Sequence, residues 1–283
     1  MRQLHVLNLG AGVSSTTLYL MFMQGELRPE LDCAIFADTG EESAPVYRHL
    51  DWLCSLRGPR ILVRTIGRLG DHLLLGRNSS GQRFPSIPAY TAEIPGVPKG
   101  MMPCQCTREY KLEVIERAIQ RELVRLRPRQ GFPTAEMFVN QYFGLCADEP
   151  DRATRVRDRF AEVPWSTPSF PLIRLGMTRA DCVAWLKRYG VPHEVPPSAC
   201  VICPFRKNSD WKWLRDHDPA GFKRAVEMDA ALRLPGIIPN QNLNQNLYLH
   251  RSCLPLGEVS LDNPESTESP AGLQPECGGI CKM

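Results

Sequence analysis

Apolar residues run in short unbroken stretches through the first half of the chain, and each stretch ends in a cluster of glycine, hydroxyl or acidic residues. The clearest runs are residues 4–9, 33–37, 61–66 and 137–145. Runs of this length bounded by turn residues read as strands, most simply as strands buried on both faces. Between them the apolar positions shift to helical spacing, over residues 15–24, 44–56 and 107–127.

Strands alternating with helices predict an α/β fold: a twisted parallel sheet with helices on both faces. In such sheets ligands bind beyond the carboxyl ends of the strands. Three polar loops fall there: "GAGVSST" from Gly10, "ADTGEE" from Ala37 and "CADEPDR" from Cys146. Residues 67–103 are rich in Gly, Pro and Ser and read as a long loop over that edge. After Pro168 the character changes. "MTRADCVAWLKRYG" has Thr178 as a helix N-cap and Gly190 as a stop, and "NSDWKWLRDHD" and "PAGFKRAVEMDAALR" read as two more helices. The expected division is a nucleotide-binding α/β unit over 1–169, a small helical appendage carrying a metal site over 170–259, and a flexible tail over 260–283.

Length and composition narrow this only a little. At 283 residues and 43% hydrophobic, the chain can bury a full core. A formal charge of +3 admits an anionic ligand without arguing for nucleic acid. No charged-then-apolar leader or membrane-length apolar run stands out, so a soluble cytoplasmic protein with no membrane partner is expected. Eleven cysteines change the picture more, because clustered thiols in a reducing compartment read first as metal ligands or redox groups. Cys33, Cys54, Cys146 and Cys182 sit singly in apolar stretches and read as buried small hydrophobes, while Cys253 has no evident role. Three pairs remain: Cys104 with Cys106, Cys200 with Cys203, and Cys277 with Cys281.

A strand, a Gly-rich turn and a helix together make an anion site, since unpaired N–H groups and the helix dipole both favour negative charge. A Walker loop is excluded, because "GAGVSST" ends without lysine. A dinucleotide fingerprint would use Gly10, Gly12 and an acidic Asp38, but Ser15 replaces its third glycine. From the residues alone two readings stay open, that partial dinucleotide fingerprint and a tight turn with no ligand.

The order "GAGVSST", "FADTGEE", "CQCTREYK", "GLCADEPDR", "SACVICPF" resembles the adenine-nucleotide alpha-hydrolase (PP-loop) superfamily, and within it the phosphoadenosine-phosphosulfate (PAPS) reductase-like family. That family's first turn, Ser-Gly-Gly-x-Asp-Ser, aligns with Gly10, Ala11, Gly12, Val13, Ser14 and Ser15. The resemblance implies an adenine nucleotide, adenylyl sulfate or ATP, over Gly10, Ala11, Gly12, Ser14 and Ser15, with Asp38, Thr39 and Gly40 beside it. Ser14 stands where the family's aspartate would help manage Mg²⁺, which argues against ATP cleavage unless Asp38 substitutes.

Two thiols from each of two distant segments suit an iron–sulfur cluster, zinc, or unligated cysteines. The resemblance favours a 4Fe–4S cluster on Cys104, Cys106, Cys200 and Cys203, with zinc second, although Gln105 separates the first two cysteines. Arg108 and Lys111, three apart on the following helix, are expected to share a face and hold sulfate or phosphate; a solvated face paired to Glu109 or Glu113 is the plainer reading. Arg152, Arg155, His250 and Arg251 are weaker candidates. Glu276, Cys277 and Gly278 match the family's tail triplet, making Cys277 the implied nucleophile and Cys281 a second thiol that could resolve a mixed disulfide. The implied activity is reduction of an adenylyl sulfate to sulfite by an external thiol reductant. The alternatives are ATP-dependent transfer of sulfur from a donor to a nucleobase or nucleic-acid backbone, and a nucleotide-binding module without catalysis.

Overall fold

The computed structural model describes residues 2–126, 137–234 and 245–262. Five parallel strands form the central sheet: β1 (Arg2–Asn8), β2 (Cys33–Ala37), β3 (Arg60–Arg64), β6 (Met137–Phe143) and β7 (Ser166–Ser169), in the order β3-β2-β1-β6-β7. The α/β class expected from the alternating pattern is the one found. β1 takes the centre because its register with β6 is complete, from Arg2 opposite Met137 to Asn8 opposite Phe143. β7, "STPS", carries no apolar pattern and was not expected; Pro168 is tolerated because the strand lies at the sheet's edge.

Side chains alternate across the sheet with the period of two that strands impose. Leu4, Val6, Cys33, Ile35 and Val139 pack on one face, against Val114, Ala118 and Ile119 of α4 (Glu113–Arg125). Leu7, Ala34, Phe36 and Tyr142 pack on the other, against α1 (Val13–Met23), α2 (Ala44–Ser55) and α7 (Arg179–Tyr189). α1 is buried from Val13 through Phe22, as a helix must be when sheet and helix enclose it. α7 begins and ends where its sequence signals lie. Thr178 Oγ1 accepts from Asp181 N–H, Asp181 accepts from Thr178 N–H at 2.9 Å, and Gly190 ends the helix at φ 87°. Its Cys182, Trp185 and Leu186 share a core with α1, so the change of character after Pro168 is not a boundary between cores. α5 (Pro150–Phe160) and the short α6 (Pro171–Arg174) cover the β6–β7 end.

A second core lies outside the sheet. It joins Leu69 and Leu73 of α3 (Leu69–Leu74), Ile87, Tyr110, Ile202 and Leu249 to Trp211 of α8 (Asn208–His217) and Met228 of α9 (Pro219–Ala231). Beside it β4 (Tyr90–Ala92) pairs antiparallel with β5 (Gly100–Met101) and with β8 (Asn246–Tyr248). The long loop expected over 67–103 is therefore partly structured. Its apolar residues show no local period because their partners are remote in sequence. A 3₁₀ turn at Leu256–Glu258 closes this region. Among the described residues no helix is long and apolar enough to cross a membrane.

Candidate functional site

β1 delivers the chain into a tight turn that α1 continues. Ala11 takes a left-handed conformation, φ 52°, and Ser15 Oγ accepts from the N–H groups of Gly10 at 3.2 Å and Gly12 at 3.3 Å. Those two donors are thus satisfied inside the turn. The N–H groups opening α1, at Val13, Ser14 and Ser15, are the ones a helix leaves without an intrahelical partner. Two glycines are needed here for space. A Cβ on Gly12 would stand 2.7 Å from Ser198 Cβ, and one on Gly144 2.7 Å from the backbone N of Ser15. Gly12, Val13, Ser14 and Ser15 line a cleft of about 390 Å³, opposed by Arg152, Arg179 and Lys207. Glu149 supplies a carboxylate there and is ion-paired to Arg152.

The cysteines gather on the other side of the turn. Thr39, fully buried, places its hydroxyl 3.2 Å from both Glu42 Oε1 and Cys200 Sγ, and the Cys200 thiol donates to the same Glu42 oxygen at 3.4 Å. Cys104 Sγ and Cys106 Sγ are 3.8 Å apart. Cys106 lies within electrostatic reach of Cys104, Cys200 and Cys203, and Cys203 within reach of Cys104. The hydrogen bond from Cys106 pushes Cys104 down to about 6, and Cys106 is held above its ordinary value by the same sharing and by burial. Burial raises Cys200 and Cys203, with Glu42 adding to the effect at Cys200. Burial alone would lower Lys111, but Cys200, Glu42, Cys203 and Cys106 outweigh it and raise its pKa. Arg206, only 3% exposed, braces this loop by donating to the carbonyls of Ala199 at 2.7 Å and Cys200 at 3.1 Å.

A small cavity of about 20 Å³, room for roughly one water, joins the two sides. It is lined by Asn8, Gly10, Glu42, Lys111 and Ser198, of which Asn8 and Ser198 also line the larger cleft. Ser198 Oγ donates to Gly10 O at 2.5 Å, tying the second cysteine segment to the glycine turn.

Four thiols with a cation beside them make a suitable donor set for a thiolate-bound metal. The separation of Cys104 and Cys106 also matches two ligands on one tetrahedral ion with metal–sulfur bonds of about 2.3 Å, whose edge is about 3.8 Å. Among the described residues, however, no three or more His, Cys, Asp or Glu are drawn close enough around one point to hold an ion.

Several expected residues lie elsewhere. Arg108 is exposed over 76% of its side chain and pairs with Glu113 at 3.5 Å, the plainer of its two readings. The reason is local: Arg108–Leu112 forms a π-helical turn, and its wider winding carries residues three apart off a common face. Only Lys111 turns to the site. Asp38 is consumed by its own loop, accepting from Gly40 N–H and Tyr47 O–H, each at 2.8 Å, while Gly40, at φ 73°, packs on Arg68. None of Asp38, Thr39 and Gly40 lines the cleft at the glycine turn, and Thr39 faces Cys200 instead. His250 is buried between Ser252 and Asn208. Cys54 is exposed rather than buried, whereas Cys146 and Cys182 are buried together, Sγ to Sγ 3.7 Å. Cys277 and Cys281 lie outside the described residues. Arg179, Lys207, Glu42 and Ser198 were not singled out from the sequence. Glu42 and Ser198 lie inside the polar stretches "ADTGEE" and "SACVICPF", Arg179 inside the helix "MTRADCVAWLKRYG", and Lys207 in none of them.

A wider groove of about 620 Å³ adjoins the cleft, sharing Val13 and Arg179 with it and adding Leu186, Lys187, His193 and Trp213. His193 Nε2 lies 2.8 Å from His49 Nδ1, and His49 Nε2 lies 2.9 Å from Thr16 Oγ1. Burial pushes His49 down to about 3, helped by His193. No protein-family model matches this chain, and no curated protein or solved structure gives a significant match.

Proposed function

We propose that the protein binds an adenine nucleotide at the turn opening α1 and carries out sulfur chemistry on it, in the first instance reduction of an adenylyl sulfate to sulfite. The observation that carries this reading is the convergence at one sheet edge of a glycine turn, a half-buried lysine and four cysteines from two remote segments. Phosphate oxygens would take the free N–H groups of the first turn of α1, with Arg152, Arg179 and Lys207 offsetting their charge. Lys111 would hold the sulfate as a point charge. Cys104, Cys106, Cys200 and Cys203 would hold a 4Fe–4S cluster, which supplies a redox-active centre beside the sulfate; zinc in the same place would supply structural closure alone. The Cys277 thiolate would attack the sulfate sulfur, breaking its bond to the phosphate oxygen and releasing the nucleotide. An external thiol would then release sulfite from the S-sulfonated cysteine, leaving a mixed disulfide for a second thiol to resolve.

The groove beside the cleft supports a second reading, ATP-dependent transfer of sulfur to a larger acceptor such as a nucleic acid. It offers room, cations and the Trp213 ring next to the phosphate turn, and Glu149 offers a carboxylate for Mg²⁺. Protein purified without oxygen and assayed in parallel with labelled adenylyl sulfate and with ATP plus a sulfur donor separates the two. The first reading expects sulfite release abolished by Cys277→Ser and about four irons per chain lost in Cys200→Ser. Thiolation by the Cys277→Ser variant would overturn it.

A further inference from the structure

Two of the four cysteines expected to be buried packing residues, Cys146 and Cys182, form the most closely engaged thiol pair among the described residues outside the proposed metal site. Cys146 follows β6 and Cys182 lies in α7, and neither is exposed to solvent. Their sulfurs are 3.7 Å apart, so closing to a disulfide at about 2.05 Å asks for a short approach of two neighbouring segments. Helix α1 touches both. Ser14 Oγ lies 3.0 Å from Cys146 Sγ, and Thr17, one turn on, hydrogen-bonds to Cys182. Ser14 also lines the cleft at the glycine turn. The dithiol therefore sits directly behind the proposed phosphate site, separated from it by one hydroxyl.

We propose that Cys146 and Cys182 are a redox-active dithiol whose oxidation to a disulfide withdraws support from Ser14 and weakens ligand binding at the glycine turn. Hydrogen bonding from Cys182, reinforced by Ser14, holds the Cys146 thiol below its ordinary range, which marks it as the attacking sulfur. The oxidant is a peroxide, small enough to enter through the cleft. The Cys146 thiolate attacks one peroxide oxygen, giving a sulfenic acid and hydroxide, which takes up the proton Cys146 lost. The Cys182 sulfur then attacks the sulfenic sulfur, and its own proton leaves with the displaced hydroxide as water. Two thiols and one hydrogen peroxide become one disulfide and two waters. A neutral disulfide sulfur accepts from a hydroxyl far more weakly than a thiolate and has no S–H to give, so Ser14 and Thr17 both lose strength in their sulfur contacts and the first turn of α1 loosens.

The link to nucleotide affinity rests on the function proposed above; the disulfide does not. Full-length reduced protein treated with hydrogen peroxide and digested without reductant should yield a peptide pair joining Cys146 to Cys182, released by thiol reductant. In Cys182→Ala, and in the near-isosteric Cys182→Ser, Cys146 should instead carry a sulfenic acid captured by a dimedone probe. Amide exchange over residues 13–17 should quicken on oxidation of the wild type but not of either variant, and AMP should bind about tenfold more weakly. Oxidation of exposed Cys54 with no cross-linked pair would overturn the proposal, as would a cross-link that leaves amide exchange unchanged. Failure of reduced protein to bind AMP, with cross-link and exchange as expected, would count against the nucleotide reading and leave the dithiol standing.

Discussion

The two cores of this molecule are built by opposite means. The sheet core is laid out along regular elements, with Leu7 and Phe36 packed on one face against α1, α2 and α7, and Val6 and Ile35 on the other against α4. The second core has no such ladder: its Leu69, Tyr110, Trp211 and Leu249 come from segments scattered over most of the chain. The sheet supplies the edge and the glycine turn, and the second core supplies the thiols of Cys106, Cys200 and Cys203. The candidate site lies where the two are joined, near Val201 N–H to Glu41 O at 2.6 Å and Ala44 N–H to Asp218 Oδ2 at 2.8 Å. Regular structure thus fixes the position of the site, and irregular structure fills it.

Removing the centre of the second core tests that joint hardest. Trp211 is wholly buried, so Trp211→Ala should lower stability by about 3–5 kcal/mol. Denaturant unfolding followed by circular dichroism and by fluorescence should still coincide in one transition. Two separated transitions, with the sheet unfolding as in wild type, would show that the cores are independent.

The glycine turn belongs to the sheet core and should be less tolerant of small additions than of lost charge. Gly144→Ala drives a methyl against the Ser15 backbone, which cannot swing aside, and should destabilise by about 1–3 kcal/mol. The same variant should reduce AMP affinity in calorimetry; wild-type stability and affinity together would mean that the close approach relaxes freely.

Acid should find the sheet core through His49. Its folded pKa of about 3 lies below the ordinary 6.5, so the unfolded chain binds the extra proton between those values. The contribution of His49 is complete above pH 6.5 and is lost as pH falls toward 3, by at most about 1.4 kcal/mol per pH unit. His49→Gln should flatten the fall in stability between pH 6.5 and 5. An unchanged slope would assign it to other groups. The smallest effect belongs to Arg108→Ala, expected to change stability by less than about 0.5 kcal/mol and to leave AMP binding unaltered. Lys111→Ala should weaken binding of adenylyl sulfate in the same titration, and equal behaviour of the two variants would contradict their different placement.

What could be read from the sequence follows the same division. β1, β2 and α7 announce themselves because apolar period and capping residues are local, as at Thr178 and Gly190. Lys111 and the cysteines of the two segments stand out in the sequence by residue type and by the family resemblance, and the fold brings them to one edge of the sheet. β7 was hidden because an edge strand needs no apolar run, and β4 and β8 because their pairing is remote. Arg108 leaves the face that α-helical spacing assigns it because Arg108–Leu112 winds as a π turn. The Cys146–Cys182 contact could not be seen, since only the packing of α7 on the β6 end brings the two sulfurs together.

The dispersed origin of the second core also sets an order of events as the chain leaves the ribosome. The sheet can be completed once β7 has emerged, each strand finding neighbours already made. Cys104 and Cys106 must wait for Cys200, Cys203 and the Trp211 helix before Tyr110 and Leu73 are covered. During that interval the nascent chain carries two bare thiols and an uncovered apolar face beside a finished sheet. Exposure of that face is therefore expected to end only when α8 emerges, and a truncation before α8 would leave Tyr110 and Leu73 without Trp211 to cover them.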